Sequence, residues 1–456
     1  MTTSFSQIAQ SDIAHHLHAQ TDLRQHELNG PLVITRGEGI YLYNEQGDRL
    51  LEGMSGLWCA NLGFSQPRLA DAGYRQMMEL PYQQTFAHRS HKAVALLAER
   101  LASLAPKGLT KVMFQSSGSE AVDTAIKLVS YYHNAIGQPG KHRIIARHRS
   151  YHGTTLAAAS LTGLPTMHNG WGKLLDNVIH VRCPHAYREA ALDESEEAFS
   201  CRLAAELEDE ILKAGPETIG AFFAEPVMGT GGVIVPPAGY FEQIQRVLKK
   251  YKILMVADEV ICGFGRTGHY WGSQAVGIQP DMLVCAKGLS AAFQPISALL
   301  INDDIYQAIA DQSHQLGGLG HGYTYGGHPV AAAVALETLN LYEELNIVER
   351  VKAISPQFQA GIAALGEHPL VGEARGIGLM AALEFVADKI SRAPFPPTLK
   401  VAELVSKALL RRGILLRALG NTLVMAPPLI IDTNQIDDML VALKESLDEV
   451  HAGMQR

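Results

Sequence analysis

Cysteine is scarce in this sequence, and the few cysteines are dispersed. The chain of 456 residues contains five of them, Cys59, Cys183, Cys201, Cys262 and Cys285, and no two form a CxxC pair. This spacing excludes a zinc ribbon and a disulfide-stapled scaffold, and it favours a reducing compartment.

An excess of positive charge is also missing. Lys and Arg together number 38, against 46 Asp and Glu, which gives a formal net charge of −8. A mildly acidic chain lacks the surplus cations that nucleic acids and anionic membranes attract. We therefore expect neither nucleic acid nor a membrane surface among its partners.

Long apolar runs are absent as well. No window approaches the roughly 18 apolar residues of a membrane-spanning helix. The N-terminal stretch MTTSFSQIAQSDIAHHLHAQ is polar and lacks the basic start and apolar core of a signal peptide. These absences predict a soluble, cytoplasmic protein.

The residues that are present form an ordinary globular mixture. Hydrophobic residues make up 47% and charged residues 18%, which argues against disorder, and the length predicts two or three domains. Short apolar runs alternate with helical patterns up to about residue 330, which predicts a mostly parallel sheet covered by helices on both faces. The predicted strands are 111–115, 143–147, 221–226, 253–260, 282–287 and 298–302.

The pattern changes after about residue 330. Helical periodicity over 330–344, 399–412 and 434–451 brackets short strands near 378–385 and 414–416. This arrangement predicts a separate α+β domain.

Four polar clusters lie where predicted strands end, which is where doubly wound sheets bind their ligands. The first is SSGS at 116–119, between a strand and a helix. Free backbone N–H groups and the helix dipole face one point there, and Gly118 permits close approach of an anion. A phosphate site and a plain serine N-cap remain equally open from these residues alone.

The second cluster is Asp258–Glu259, at the end of the apolar run ILMVADEV. Two buried carboxylates are costly unless something pairs with them, and a protonated heterocycle, a metal or a basic side chain would serve. Alternatively, one of them caps a nearby helix or pairs with Arg266.

The other two clusters are Lys287, which ends the apolar run MLVCAK, and Tyr151-His152-Gly153. Desolvation of a lysine depresses its pKa and makes a nucleophilic amine available, although a solvated strand-end lysine is the common case. An aromatic ring near a phosphate loop can stack on a flat ligand, and it can equally belong to the core. Together the clusters suit a ligand with a phosphate, a basic flat ring and an electrophilic carbon, and pyridoxal 5′-phosphate has all three.

Two further patterns are set aside. GFGRTG at 263–268 fits GxGxxG, but the residues after it form a poor helix, so a dinucleotide site is not predicted. The histidines His15, His16 and His18, and the pair His148 and His152, have no evident carboxylate or cysteine beside them, so we predict no metal site.

The chain resembles the class III aminotransferases, within the fold-type I pyridoxal-phosphate enzymes, and most closely their ω-amine:pyruvate branch. The resemblance implies a large domain with a mostly parallel seven-stranded sheet over 61–328, a small α+β domain over 329–456, and an N-terminal segment, 1–60, packed on the small domain. The matching segments are GMSGLWCANLGF, SSGSEAVDTAIK, YHGTT, AEPVMGTGGVIVPP, VADEVICGFGRTG, AKGLS, HGYTYGGHP and RALGNTLVMAPPL.

The resemblance also implies roles at the cofactor. Lys287 would bind the cofactor covalently and then carry the substrate proton, and Asp258 would keep the pyridine nitrogen protonated. Ser117, Gly118 and Ser119 would bind the phosphate, Tyr151 and Val260 would enclose the ring, and Glu225 would order its surroundings. Thr324 would reach the phosphate of a partner subunit's cofactor, so the resemblance implies a homodimer, or a dimer of dimers, with shared sites.

For the substrate, the resemblance implies an apolar pocket formed by Trp58, Phe86, Tyr151 and the partner subunit's Tyr323. Arg417 matches a mobile arginine that pairs with an acceptor's carboxylate, whereas a surface salt bridge is the ordinary alternative. The expected reaction transfers an amino group from an amine, diamine or ω-amino acid to pyruvate.

Other readings stay open. An ornithine, GABA or diaminopelargonate aminotransferase or a semialdehyde aminomutase would share most of these residues. GABA- and ornithine-type enzymes use 2-oxoglutarate, whose second carboxylate has no evident additional arginine here. A catalytically idle cofactor-binding regulator is disfavoured by the presence of both Lys287 and Asp258.

Overall fold

A computed structural model describes residues 5–172 and 174–455. No helix in that part of the chain is long and apolar enough to cross a membrane. The strands are β1 (Ile34–Glu38), β2 (Tyr41–Asn44), β3 (Arg49–Glu52), β4 (Leu109–Gln115), β5 (Arg143–Arg147), β6 (Val178–Val181), β7 (Ile219–Ala224), β8 (Leu254–Asp258), β9 (Met282–Cys285), β10 (Ser297–Asn302), β11 (Val371–Ile377), β12 (Met380–Asp388), β13 (Ala393–Pro394), β14 (Ile414–Leu415), β15 (Arg417–Leu419) and β16 (Thr422–Met425).

Helices precede, flank and follow these strands. They are α1 (Gln7–His15), α2 (Leu23–Asn29), α3 (Ser55–Trp58), α4 (Pro67–Glu79), α5 (Lys92–Leu104), α6 (Gly118–Ala135), α7 (Leu156–Leu161), α8 (Ala186–Glu189), α9 (Glu196–Ala214), α10 (Tyr240–Lys250), α11 (Gly272–Val276), α12 (Asp303–Leu316), α13 (Pro329–Glu344), α14 (Ile347–Leu365), α15 (Val401–Arg411) and α16 (Thr433–Met454). Short 3₁₀ turns occupy Pro165–Met167, Pro216–Thr218, Lys287–Ser290 and Pro397–Leu399.

The central sheet has seven strands in the order β4-β10-β9-β8-β7-β5-β6. Strands β5 to β9 pair in parallel, and β10 runs antiparallel to both β4 and β9. Every residue of β7 and of β9 is buried, as expected for strands covered on both faces. The predicted fold class is thereby confirmed.

Alternate residues of the central strands face two different helical layers. Ile144 and Phe223 belong to the core beneath α6, whereas Ile145 and Phe222 belong to the core beneath α9 and α10. This period of two is the pleat of a strand buried on both sides. The sheet is therefore rigid, and its carboxyl edge is a fixed platform for the loops that follow it.

The C-terminal part forms its own sheet, in the order β11-β12-β16-β15. A further sheet, β1-β2-β3-β14, joins the N-terminal segment to this part, with Ile414 beside Leu51 in parallel pairing. Spacing did not predict this pairing, because the two strands lie more than 350 residues apart in the sequence.

Candidate active site

A cavity of about 430 Å³ opens at the carboxyl edge of the central sheet. Its walls come from the start of α6, the loop after β5, the ends of β7 and β8, and the turn after β9. The lining residues are Cys59, Ser116, Ser117, Gly118, Ser119, Tyr151, His152, Gly153, Glu225, Asp258, Val260, Ile261, Ala286, Lys287, Ser290, Ala292, Gln294, Pro295 and Ile296.

One corner of the cavity is the N-terminus of α6. Ser117 is the N-cap, and its hydroxyl accepts a hydrogen bond from the Glu120 N–H at 3.2 Å, while the Glu120 carboxylate accepts from the Ser116 and Ser117 N–H groups. This capping box leaves the first-turn N–H groups of Gly118 and Ser119 at the cavity wall, since a helix supplies them no internal acceptor. The corner has the donors and the dipole that bind a phosphate.

The loop after β5 is fastened to the same corner. The Thr154 N–H donates to Ser119 Oγ at 3.0 Å. Gly153 has φ of +141°, and a Cβ there would lie 2.5 Å from that oxygen, so only glycine fits between loop and helix.

Asp258 lies across the cavity, at the end of β8, and is 3% exposed. Its carboxylate accepts from the Val260 N–H at 3.1 Å and lies 2.7 Å from His152 Nδ1. A carboxylate can accept about four hydrogen bonds, so Asp258 retains capacity for the N–H of a bound heterocycle.

Lys287 follows β9 at the cavity floor, in the left-handed conformation with φ of +46°. Burial lowers the pKa of the Lys287 amine, and the charges of Asp258 and Glu225 oppose that shift. A larger fraction of the amine is therefore neutral and nucleophilic than for a solvated lysine.

Tyr151 and Glu225 are joined above the sheet. Glu225 accepts from the backbone N–H of Tyr151 and of Gly229, each at 3.0 Å, and burial raises the pKa of its carboxyl group. Burial likewise raises the pKa of the Tyr151 phenol, which the nearby Arg417 charge and a hydrogen bond with Gln20 partly oppose.

Arg417 lies beside Tyr151 at the start of β15. It is half-buried, burial lowers the pKa of its guanidinium, and its Nη2 donates to Gln20 Oε1 at 3.2 Å. Within residues 5–172 and 174–455 no carboxylate forms an ion pair with it, so the arrangement is not the surface salt bridge that sequence reasoning kept as an alternative.

The chemistry of these groups fits pyridoxal 5′-phosphate. A helix N-terminus for the phosphate, a buried carboxylate for the ring nitrogen and a desolvated amine for the aldehyde surround one cavity of suitable size. The structure therefore brings together Ser117, Gly118, Ser119, Tyr151, Glu225, Asp258, Val260 and Lys287 from the sequence-predicted set.

Five predicted substrate or partner-subunit residues do not line the cavity of their own chain: Arg417, which lies beside the lining residue Tyr151, and four others. Trp58 is buried next to Cys59, with 2% exposure, in the core shared with the C-terminal part. Phe86 packs on Gly322 and is 46% exposed, and the Tyr323 hydroxyl donates to the Glu120 carbonyl at 3.3 Å. Thr324 is exposed, and its carbonyl accepts from the Tyr82 hydroxyl.

Sequence reasoning missed the role of one residue at the site and the presence of another. His152 was considered only as a metal ligand with His148 and without a carboxylate beside it, whereas its fully buried ring lies 2.7 Å from Asp258 Oδ2. Gln20 arrives from the N-terminal segment to touch both Tyr151 and Arg417, and no spacing signal connects positions so far apart.

Glu259 takes the structural role that was kept as an alternative. Its carboxylate accepts from the N–H groups of Gly272 and Ser273 and so caps α11, and burial raises its pKa to about 7. It does not pair with Arg266. That buried arginine donates instead to Asn61 Oδ1 at 2.8 Å and to the Leu379 carbonyl, so the GFGRTG loop joins distant parts of the chain.

The premise against the N-terminal histidines is corrected by the structure. Asp12, one helical turn before His16, places a carboxylate oxygen 3.0 Å from His16 Nδ1 and another 2.6 Å from His18 Nε2. Sequence reasoning looked only among the histidines' immediate neighbours and overlooked position i−4 on the same helix face.

Similar proteins share both the sequence and the fold. Gamma aminobutyrate transaminase 1, mitochondrial, from Solanum lycopersicum is 47% identical over 426 residues, which is 93% of this chain and 83% of the relative. Gamma-aminobutyrate transaminase 1, mitochondrial, from Oryza sativa subsp. indica is 47% identical over 418 residues, 91% of this chain and 81% of the relative.

Among solved structures, the omega transaminase from Pseudomonas jessenii in complex with PMP is 48% identical, with a TM-score of 0.96 and 98% of both chains covered. Class III aminotransferases use pyridoxal 5′-phosphate, in agreement with the donors around the cavity. The family described as "Aminotransferase class-III" matches residues 23–447. This chain belongs to the class III aminotransferases.

Proposed function

We propose that this aminotransferase moves an amino group from an ω-amine, diamine or ω-amino acid to pyruvate in two half-reactions that use one cavity. The observation that carries the proposal is Arg417, a half-buried cation beside Tyr151 whose hydrogen-bond partner is the neutral amide of Gln20. A desolvated guanidinium without a carboxylate is poorly compensated, and a substrate carboxylate can pair with it in bidentate geometry.

The bound cofactor supplies an aldehyde that condenses with amines and a ring that accepts the electrons released at the amine carbon. Lys287 Nζ, partly neutral because it is buried, takes the proton from that carbon and returns it. Asp258 Oδ2 is positioned by His152 Nδ1. The negative charge of this carboxylate would keep the ring nitrogen of the bound cofactor protonated.

The amine donor and the keto-acid acceptor differ in whether they need the positive charge of Arg417. An amine without a carboxylate needs no cation, and the single hydrogen bond to Gln20 is weak enough to break when the arginine swings away. Pyruvate has one carboxylate and so needs one cation.

The names of the curated relatives support an ω-amino acid as a donor. GABA carries its amine and its carboxylate at opposite ends, so the carboxylate can reach Arg417 while the amine reaches Lys287. The acceptor decides between the proposal and a 2-oxoglutarate enzyme, because 2-oxoglutarate has a second carboxylate. Among the described residues that line the cavity, the basic side chains are Lys287, which the proposed mechanism uses at the reacting carbon, and His152, which contacts Asp258.

We also infer that the active unit is a homodimer with shared sites. Phe86 and Thr324 are exposed and Tyr323 is half-buried, and none of the three lines the cavity of its own chain. A second copy that covered these residues would bring them to its own cavity.

An acceptor panel tests the function. Purified enzyme is given GABA, a diamine or an arylalkyl amine, each with pyruvate and with 2-oxoglutarate, and kcat/KM is measured for every pair. The expected result is a preference for pyruvate of about tenfold or more with every donor, the equivalent of one unmet charge contact. A preference for 2-oxoglutarate would replace the proposal with the GABA- or ornithine-type reaction.

A further inference from the structure

Three imidazoles near the N-terminus converge on the carboxylate of Asp12. We refer to these four residues as the N-terminal histidine cluster: Asp12, His16, His18 and His26. Asp12 lies in α1, His16 and His18 lie in the turn after it, and His26 lies in α2. The Asp12 oxygens are 3.0 Å from His16 Nδ1, 2.6 Å from His18 Nε2 and 3.2 Å from His26 Nε2.

The three imidazoles are packed together as well. The His18 ring lies 4.3 Å from the His16 ring and 4.1 Å from the His26 ring, between centroids. The His26 side chain is 9% exposed, and its Nε2 has no hydrogen-bond partner in the part of the chain that the structure describes, although it is aimed at Asp12. A buried nitrogen in that state is uncompensated unless something in the cluster binds it.

Hydrogen bonds within the cluster do not give every imidazole nitrogen a partner. Asp12 Oδ2 is approached by both His18 and His26, and only one of the two Nε2 contacts meets hydrogen-bond geometry. A cation at the centre would instead accept one lone pair from each imidazole and from the carboxylate.

The set of donors matches a borderline-soft divalent cation. One ligand atom from each of Asp12, His16 and His18 lies within 4.8 Å of the others, so small side-chain movements bring all three to the distance of about 2.0–2.2 Å that zinc requires. His26 Nε2 is the nearby fourth donor. Three imidazoles and a carboxylate suit Zn²⁺, and not Ca²⁺ or Mg²⁺, which prefer oxygen. We propose that the N-terminal histidine cluster is a Zn²⁺ site.

The position of this site gives the cation a structural consequence. Gln20 lies two residues after His18, in the turn between α1 and α2, and it touches Tyr151 and Arg417. A cation that ties α1 to α2 fixes the turn between them, and so holds Gln20 against Arg417 and against Tyr151, which lines the cavity. The site does not depend on which amine or acceptor the enzyme uses.

Calorimetric titration of Zn²⁺ into chelator-treated holoenzyme without an affinity tag tests the proposal. The expected result is one Zn²⁺ per chain, and Co²⁺ in its place should show the intense visible bands of a four-coordinate site. His16→Ala and His18→Ala should each weaken Zn²⁺ binding by about tenfold or more, which is at least what the loss of an outer-sphere partner costs. His16 is 64% exposed, so its removal does not endanger folding.

His15→Ala is the matched control, because His15 lies on the same helix, is exposed and stands outside the cluster. It should bind Zn²⁺ as the unaltered protein does. A second readout is limited proteolysis: Zn²⁺ should slow cleavage between α1 and α2 in the unaltered protein and in His15→Ala, but not in His18→Ala. Equal Zn²⁺ affinity in the His15, His16 and His18 variants, or less than one Zn²⁺ per chain, would overturn the proposal.

Discussion

At the scale of single residues, Lys287 and its surroundings determine the chemistry. Burial lowers the pKa of its amine, and the β9 strand positions it at the cavity floor. In the proposed mechanism Lys287 moves the proton, so Lys287→Ala should abolish turnover, while the α6 corner should still retain part of the cofactor by its phosphate. Steady-state turnover and cofactor absorbance measure both effects. Lys249→Ala, on the exposed end of α10, is the control; activity of Lys287→Ala within about tenfold of that control would remove Lys287 from the mechanism.

The neighbouring carboxylates Asp258 and Glu259 provide a second test at this scale. Asp258 faces the cavity with His152 behind it, whereas Glu259 caps α11. Asp258→Asn cannot stabilise a protonated ring nitrogen, and the rate of a single turnover should fall by roughly 10²–10³-fold or more with the fold intact. Glu259→Gln should retain the rate in whatever fraction folds. An unchanged single-turnover rate in Asp258→Asn would contradict the assignment.

At the scale of elements, the stability of the pairing between β3 and β14 should depend on pH through Glu52, which lies on β3 beside Leu415. Burial raises its pKa from 4.5 to about 7. The folded state therefore binds the Glu52 proton more tightly than the unfolded state does. The resulting contribution to the free energy of unfolding is complete below about pH 4.5 and is lost as the pH rises through about 7.

Glu52→Gln removes that titration. The difference in unfolding free energy between the unaltered protein and the variant should shift by about 3 kcal/mol in favour of the variant between pH 5 and pH 8. Denaturant midpoints at the two pH values measure it. The titration of Glu259, whose pKa burial also raises to about 7, cancels because both proteins contain it. A pH-independent difference would show that Glu52 is not the titrating group.

The elements also show where sequence patterns suffice and where they fail. Apolar runs such as MLVCAK identified strands of the central sheet, because strands buried on both faces need no polar alternation. The helix over 347–365 was not predicted, and it holds Pro356, a residue that normally interrupts helical patterns. The clusters at the strand ends were predictable, since parallel strands deliver their loops to one edge.

At the scale of the whole molecule, the contacts that escaped prediction join separate segments of the chain. The hydrogen bond between Gln20 and Arg417 joins residues 397 positions apart, whereas the Asp12 contact with His26 joins the neighbouring helices α1 and α2. The spacing of residue types along a short stretch of sequence does not predict such contacts. The proposed roles of Phe86, Tyr323 and Thr324 would depend on a second chain, and the sequence suggests that chain only through the family resemblance.

A mixed dimer tests the shared site. If Thr324 serves the partner subunit's cavity, then a heterodimer of Thr324→Ala with Lys287→Ala has one intact site and one doubly altered site. Its activity should be about half that of the unaltered dimer, because the charge-assisted phosphate contacts of the intact site are all present. Activity of about half that of the Thr324→Ala homodimer would place Thr324 in its own chain's site, because the Lys287→Ala site contributes nothing. A fully active monomer in sedimentation would exclude sharing altogether.

The central claim is that Arg417 binds the carboxylate of the acceptor and is not needed by an amine donor that has no carboxylate. The most direct measurement is stopped-flow analysis of the two half-reactions of Arg417→Ala, with the exposed Arg246→Ala on α10 as control. Loss of a desolvated bidentate pair costs about 2–4 kcal/mol, so the pyruvate half-reaction should need about 30-fold more substrate or more. The half-reaction with a carboxylate-free amine should match the control. Equal losses in both half-reactions, or no loss in either, would contradict the account.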